Sequence, residues 1–376
     1  MTRTDAQAGS PYQLIMMVVI LGGAVVGLNK VSPLIAPVIL VLSVVGILVL
    51  AVRQRMEARR EAGKAHLVDH ARLNKMSITR FLPWLKDNVR GQDAVVDVIF
   101  SELERGLKLA KPGRPIGAFL LVGPTGTGKT FLSTLIGQAL FPDSKPVILR
   151  MNQYKHPDDV YTLLGPPPGM PGYEVGGALT RPLLENPYRV VIFDEIEKCH
   201  RDVQHCLYDV LDAGNCREKS SGKLVDFSGT VFFATSNAAV PALRQIRANT
   251  RDTATWLGQS RDALADAGGF DKAFLARWNG IYLMDELTPL HVAEVACLQL
   301  SAHWKEYGME VAHTSPEVIL SAVEGNEAFK EYGVRQLGAY LQTVTRDAIL
   351  RAKDQGATKV WLGVEADRSL SISRTE

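Results

Sequence analysis

The sequence predicts an α/β fold, with a parallel sheet covered by helices on both faces and a phosphate-binding loop at the carboxyl end of one strand. Three observations carry this expectation. Gly123, Gly128, Lys129 and Thr130 complete the spacing G-x-x-x-x-G-K-[ST] directly after the apolar run Phe119–Val122. A second run, Arg189–Asp194, is continuously hydrophobic and ends in Asp194 and Glu195, as a buried parallel strand does where its carboxyl end reaches a site. A third, Thr230–Thr235, has Ser236-Asn237 at its tip.

The loop itself comprises Gly123, Pro124, Thr125, Gly126, Thr127, Gly128, Lys129 and Thr130. A backbone that curls around a phosphate with its N–H groups inward needs glycine where a side chain would obstruct, here at Gly126 and Gly128. Lys129 supplies a point charge for the terminal phosphates. Thr130 opens the helical run Phe131–Phe141, so its hydroxyl can ligate magnesium at a helix N-terminus. A structural turn would account for Gly126 but not for Lys129 and Thr130 together. ATP or GTP is therefore the expected ligand, with Mg2+. Asp194 is the second expected magnesium ligand and Glu195 the group that polarises water. Asn237, at the next strand tip, can bond the γ-phosphate or the water.

A chain of 376 residues has room for two or three domains. With 42 basic and 40 acidic side chains the formal charge is +2, which gives no electrostatic case for nucleic acid as a partner. Cys199, Cys206, Cys216 and Cys297 follow no paired spacing and suit a reducing compartment as free thiols. The stretch from Cys199 to Cys206 contains two histidines, but no second ligand pair lies at zinc-finger spacing, so it is read as a helix surface.

Residues 1–52 are expected to be a membrane anchor. Leu14–Leu28 and Val31–Val52 are almost wholly apolar and are separated by Asn29 and Lys30. A spanning helix needs about 20 apolar residues, so the second run suffices alone as a single span, and the two together read in preference as a transmembrane helical hairpin. Arg53, Arg55, Arg59, Arg60 and Lys64 follow, against Glu57 and Glu61, and this excess marks the cytoplasmic side of an inner or plasma membrane. Residues 53–88 read as a juxtamembrane connector with an apolar cluster at Phe81, Leu82, Trp84 and Leu85. From Leu287 helical periodicity dominates, over His291–Tyr307, Pro316–Val323 and Val334–Lys353, with a last apolar alternation at Lys359–Val364.

Several motifs in order resemble the Clp/ClpB family of AAA+ ATPases, specifically its second ATPase module. They are Val89-Arg90-Gly91-Gln92, Arg114-Pro115-Ile116-Gly117, the phosphate loop, Phe193-Asp194-Glu195-Ile196-Glu197-Lys198 and Thr235-Ser236-Asn237, continuing through Phe274-Leu275-Ala276-Arg277 and Tyr332-Gly333-Val334-Arg335. The resemblance implies a large ATPase domain at 89–286 and a small helical lid at 287–376. It implies that Val89 and Arg90 border the adenine pocket, that Asn237 is the first sensor and Arg335 the second, and that Arg277 is an arginine finger reaching a neighbouring subunit's site. Arginine suits both tasks because its planar, permanently charged fork neutralises charge developing on phosphate oxygens. A finger given in trans requires head-to-tail contacts that close, so a homo-oligomeric, hexameric or similar ring is implied.

The chain departs from that family in the loop expected to grip polypeptide. Where the family has Gly-aromatic-Val-Gly, this sequence has Gly169-Met170-Pro171-Gly172, then Tyr173. Met170 is a flexible apolar contact, whereas Tyr173 is expected at the loop base. Trp256-Leu257-Gly258-Gln259 stands where protease-docking members carry Ile/Leu-Gly-Phe/Leu, and Gln259 breaks the tripeptide. No first ATPase module and no attached protease domain is expected. Two functions follow from this reading: a membrane-tethered ring ATPase that remodels, unfolds or disassembles a protein substrate, or a nucleotide-gated scaffold for a membrane complex, such as a secretion or conjugation system, in which threading is absent.

Overall fold

The computed structural model describes residues 68–319, 334–364 and 370–374. The chain divides into Met1–Ala65 and His66–Glu376, and every described residue belongs to the second unit. The expected anchor at Leu14–Val52 lies outside the described residues. Among those that are described, no helix is long and apolar enough to cross a membrane.

Five strands make the central sheet: β1 (Gly117–Val122), β2 (Val147–Arg150), β3 (Arg189–Asp194), β6 (Thr230–Ser236) and β7 (Gly280–Leu283). Their order is β2-β3-β6-β1-β7, and all neighbours are parallel. All residues of β1 and β6 are buried, because both faces of the sheet are covered. The two-residue period of a strand then deals alternate side chains into two cores. Leu120, Val122, Val191, Phe193, Phe232 and Ala234 enter one, and Phe119, Leu121, Val190, Ile192, Val231 and Phe233 the other.

The second of these cores is closed by α3 (Asp93–Lys108) and α4 (Lys129–Leu140). In α3 the buried residues Val96, Ile99, Phe100, Leu103 and Leu107 recur at helical spacing, with Asp93 in the first turn and Arg105 and Lys108 in the last, complementing the helix dipole. Two short helices precede it, α1 (His70–Asn74) and α2 (Leu82–Asn88). They do not stand clear of the body as a bare connector would. Leu73 and Leu85 are buried in the same core, Phe81 and Leu82 pack against it, and Trp84 stays exposed. The first core is closed by α5 (Asp159–Leu164), α6 (Thr180–Glu185), α7 (Arg201–Asp212), α8 (Val240–Asn249), α9 (Thr253–Asp266) and α10 (Lys272–Leu275). A hairpin, β4 (Asn215–Arg217) with β5 (Leu224–Asp226), follows α7 and packs Val225 into the first core.

The lid has a third, separate core. Helix α11 (Pro289–Glu306) contributes Val292, Ala296, Leu300 and Trp304, four residues apart. It starts at a capping box, Thr288 Oγ1 accepting from His291 N (3.3 Å) and Thr288 N donating to His291 Nδ1 (3.4 Å). Helix α12 (Val334–Asp354) packs on α11. The expected run Pro316–Val323 is helical over 316–319, and its remainder lies outside the described residues. The lid is not purely helical. Strands β8 (Glu310–Thr314), β9 (Lys359–Val364) and β10 (Leu370–Arg374) form a sheet with β8 and β9 parallel. β8 escaped the sequence reading because a short strand of mixed polarity has little signature until its distant partner is beside it.

Candidate active site

The phosphate loop leaves β1 and enters α4 through two left-handed residues, Gly126 (φ +84°) and Gly128 (φ +89°), a conformation that a Cβ disfavours. A Cβ on Gly123 would stand 2.8 Å from the Met284 carbonyl oxygen, so the close approach of β1 and β7 requires glycine there. Thr127 Oγ1 donates to Pro124 O (3.0 Å) and closes the turn, while Thr125 lies within it.

Lys129 and Thr130 begin α4, and their side chains meet the tips of β3 and β6. Lys129 Nζ donates to Gly123 O (2.7 Å), Pro124 O (2.8 Å) and Asn237 Oδ1 (2.8 Å). Thr130 Oγ1 donates to Asp194 Oδ1 (2.7 Å). The register explains the meeting: Val122 of β1 is level with Ser236 of β6, and Phe193 of β3 with Ala234. Three strand ends thus deliver the loop, the acidic pair and the amide to one place. Hydroxyl and carboxylate are oxygen donors of the kind magnesium prefers, and they already touch, so this pair fits such an ion.

Glu195 has φ +58°, unusual for a residue with a side chain. Its N–H donates to Thr235 Oγ1 (3.0 Å), whose hydroxyl donates to Asp194 Oδ1 (2.7 Å), so Thr235 ties the two acidic residues together. Glu195 Oε2 accepts from Asn152 Nδ2 (3.1 Å) and pairs with Lys198 Nζ (3.0 Å). Asn237 N donates to Glu197 Oε1 (3.3 Å). Sequence reasoning missed Thr235, Asn152 and Lys198 as site residues. Thr235 and Lys198 stood inside motifs already noticed. Asn152 had no signal, because its place follows only from β2 lying beside β3, with Arg150 level with Asp194.

Val89 is buried and Arg90 Nε lies 3.8 Å from Glu294 Oε2 of α11. Beside them Gly91 has φ +71°, and a Cβ there would stand 2.4 Å from His291 Nδ1. The expected adenine edge is therefore the seam where body meets lid. Asp285 and Glu286, entering the lid, are held from the body: Gln92 Nε2 donates to Asp285 O (2.9 Å), Arg247 forms a forked pair with Asp285, and Arg244 pairs with Glu286 (2.7 Å).

Among the described residues Arg277 bonds Ala273 and pairs with Asp212, and not with the phosphate loop. Phe274, Leu275 and Trp278 around it are buried in the first core, which leaves Arg277 at the edge of α7. Arg335 falls in the first described turn of α12, and its side chain lies outside the described residues.

In the loop after α5, Met170 is 44% exposed and Tyr173 42%. Tyr173, expected at the loop base, starts a 3-10 turn, Tyr173–Val175, none of whose residues is buried. Trp256-Leu257-Gly258-Gln259 lies within helix α9, and Trp256 Nε1 donates to Ile281 O (2.9 Å). The run from Cys199 to Cys206 does enter a helix, capped by His200; Cys199 is buried and Cys206 is half-buried against the first core. Burial pushes Cys199, Cys206 and Cys216 each up to about 12.

Residues 114–280 match the family model of the AAA domain, Cdc48 subfamily. The chain is similar to the ATP-dependent Clp protease ATP-binding subunit ClpE of Lactococcus lactis subsp. lactis, 36% identical over 234 residues, which covers 61% of this chain and 31% of that protein. It is similar as well to the negative regulator of genetic competence ClpC/MecB of Bacillus subtilis, at 33% over 277 residues (70% and 34%). A third relative is the chaperone protein ClpB of Clostridium tetani, at 33% over 283 residues (74% and 32%). The chain spans about a third of the length of these relatives. Motif order, parallel strand order and these similarities agree: the chain carries an AAA+ ATPase domain of the Clp type.

Proposed function

We propose that the protein hydrolyses ATP in a homo-oligomeric, hexamer-like ring and uses the cycle to remodel, unfold or disassemble a protein substrate at a membrane's cytoplasmic face. The observation that carries it is the meeting, at three adjacent strand ends, of two hydrogen-bonded groups: Lys129 with Asn237, and Thr130 and Thr235 with Asp194. In this reading Lys129 exchanges its bonds to the loop carbonyls for the terminal phosphates. Thr130 and Asp194 hold Mg2+, which when bound neutralises charge on the triphosphate. Glu195, aimed by Asn152 and Lys198, orients water and takes its proton. Asn237 bonds the γ-phosphate side, Val89 and Arg90 border adenine, and Arg335 reports nucleotide state from the lid. Arg277 serves the next subunit, where a trans-acting arginine is worth about 10³–10⁵ in rate by analogy with GTPases.

Tethering rests on Leu14–Val52 and the basic residues after it. Threading is supported by Met170 and Tyr173 standing exposed together. Pro171, which stiffens that loop, favours the second reading, a nucleotide-gated scaffold of a membrane complex. Purified Glu195→Gln should retain ATP while turnover drops about 10²–10⁴-fold, and full turnover would refute the assignment. Met170→Ala with intact turnover but reduced unfolding of a tagged substrate supports threading. Turnover without any unfolding supports the scaffold.

A further inference from the structure

Arg277 lies where three contacts from its own subunit shape it. Its Nε is 2.8 Å from Asp212 Oδ2, a charge contact outside hydrogen-bond alignment. Its Nη1 donates to Ala273 O, and its guanidinium carbon lies 3.8 Å from the centre of the Tyr208 ring. Tyr208 is itself fixed. Its hydroxyl donates to Asp271 Oδ2 (2.7 Å), the residue that caps α10, and its ring stacks on buried Phe274.

The consequence is geometric. An arginine side chain has several freely rotating bonds, and a finger that wanders loses the orientation on which charge stabilisation depends. A flat aromatic ring under the guanidinium restricts it to one plane while leaving its outer edge free. Asp212 holds the charge without enclosing it, since the carboxylate is 54% exposed and the arginine 22%.

We propose that Tyr208 and Asp212 are the positioning residues of Arg277. Tyr208 is the platform that aims the guanidinium outward, and Asp212 is the counter-ion that yields it to a neighbouring subunit's triphosphate. This rests on the reading of Arg277 as a trans-acting finger. Tyr208→Leu removes the platform and lowers kcat about 2- to 30-fold, the range a cation–π contact spans, with the ATP dissociation constant unchanged. Tyr208→Phe keeps the ring and recovers most of the loss.

The test uses mixtures of full-length subunits. Lys129→Ala cannot bind ATP but still donates a finger, so mixing it with Arg277→Ala should restore turnover at the junctions where both halves are intact. Failure of that mixture overturns the finger reading itself. If that mixture recovers and the Tyr208→Leu with Lys129→Ala mixture recovers as well, Tyr208 acts through the finger. If only the Arg277→Ala mixture recovers, the defect of Tyr208→Leu lies in its own pocket and the proposal fails. Should Tyr208→Leu lose ATP binding through misfolding, Asp212→Asn, at an exposed position, carries the same mixture. Unimpaired turnover in Asp212→Asn overturns the role of Asp212.

Discussion

Glu195 combines a left-handed backbone with a carboxylate bridged to Asn152 and Lys198. Such a conformation costs about 1–3 kcal/mol and persists only where neighbours enforce it, here through the bond from its N–H to Thr235. Asn152→Ala should lower kcat about tenfold through a misaimed carboxylate and leave ATP affinity unchanged, as single-turnover kinetics against equilibrium binding would reveal. Three thiols in or against the first core offer a second check. Cys199, Cys206 and Cys216 are raised to about 12 against an ordinary 9.0. The folded state holds these protons more tightly than the unfolded state, so their contribution is complete below about pH 9 and is lost as pH climbs toward about 12. Native protein should resist iodoacetamide at about pH 8 and react fully once denatured, because the thiolate is the nucleophile. Rapid alkylation of native Cys199 would contradict its burial.

The strands decide more than the helices about where chemistry can occur. β6 is buried along its whole length between β1 and β3 and carries the amide at its tip, so damage to its packing is damage to the site. Phe233 stacks obliquely on Phe119 with ring centres 5.3 Å apart. Phe233→Ala should destabilise the domain by about 3–5 kcal/mol, read as a lower denaturant midpoint. An unchanged midpoint would mean that the sheet does not pack as described. α8 connects the same strand to the lid seam: it begins just past Asn237 and ends with Arg244 and Arg247 on Glu286 and Asp285.

At the scale of the whole unit, two cores belong to the ATPase body and one to the lid, with Met284 in the body's core and Leu287 against the lid's. The seam between them is polar and partly exposed, so its ion pairs contribute little stability. Arg247→Ala should therefore barely move the thermal midpoint yet change kcat up to about fivefold, by loosening the seam that spans β6 and lid. Equal losses in stability and turnover would instead make the seam a structural brace. If the apolar runs at Leu14–Val52 tether the protein as proposed, removing residues 1–52 should shift it from the membrane to the soluble fraction, and retention would count against that proposal.

Local pattern alone was enough for the phosphate loop, the paired carboxylates and the strands that deliver them, because glycine backbone freedom, strand periodicity and phosphate chemistry all act over a few neighbouring residues. Asn152, the Thr235 bridge, the platform under Arg277 and the mixed sheet of the lid were decided only by tertiary structure. Each depends on elements far apart in the chain being pressed together, and burial of apolar surface, which presses them, is non-directional and leaves no local signature of which polar groups will meet.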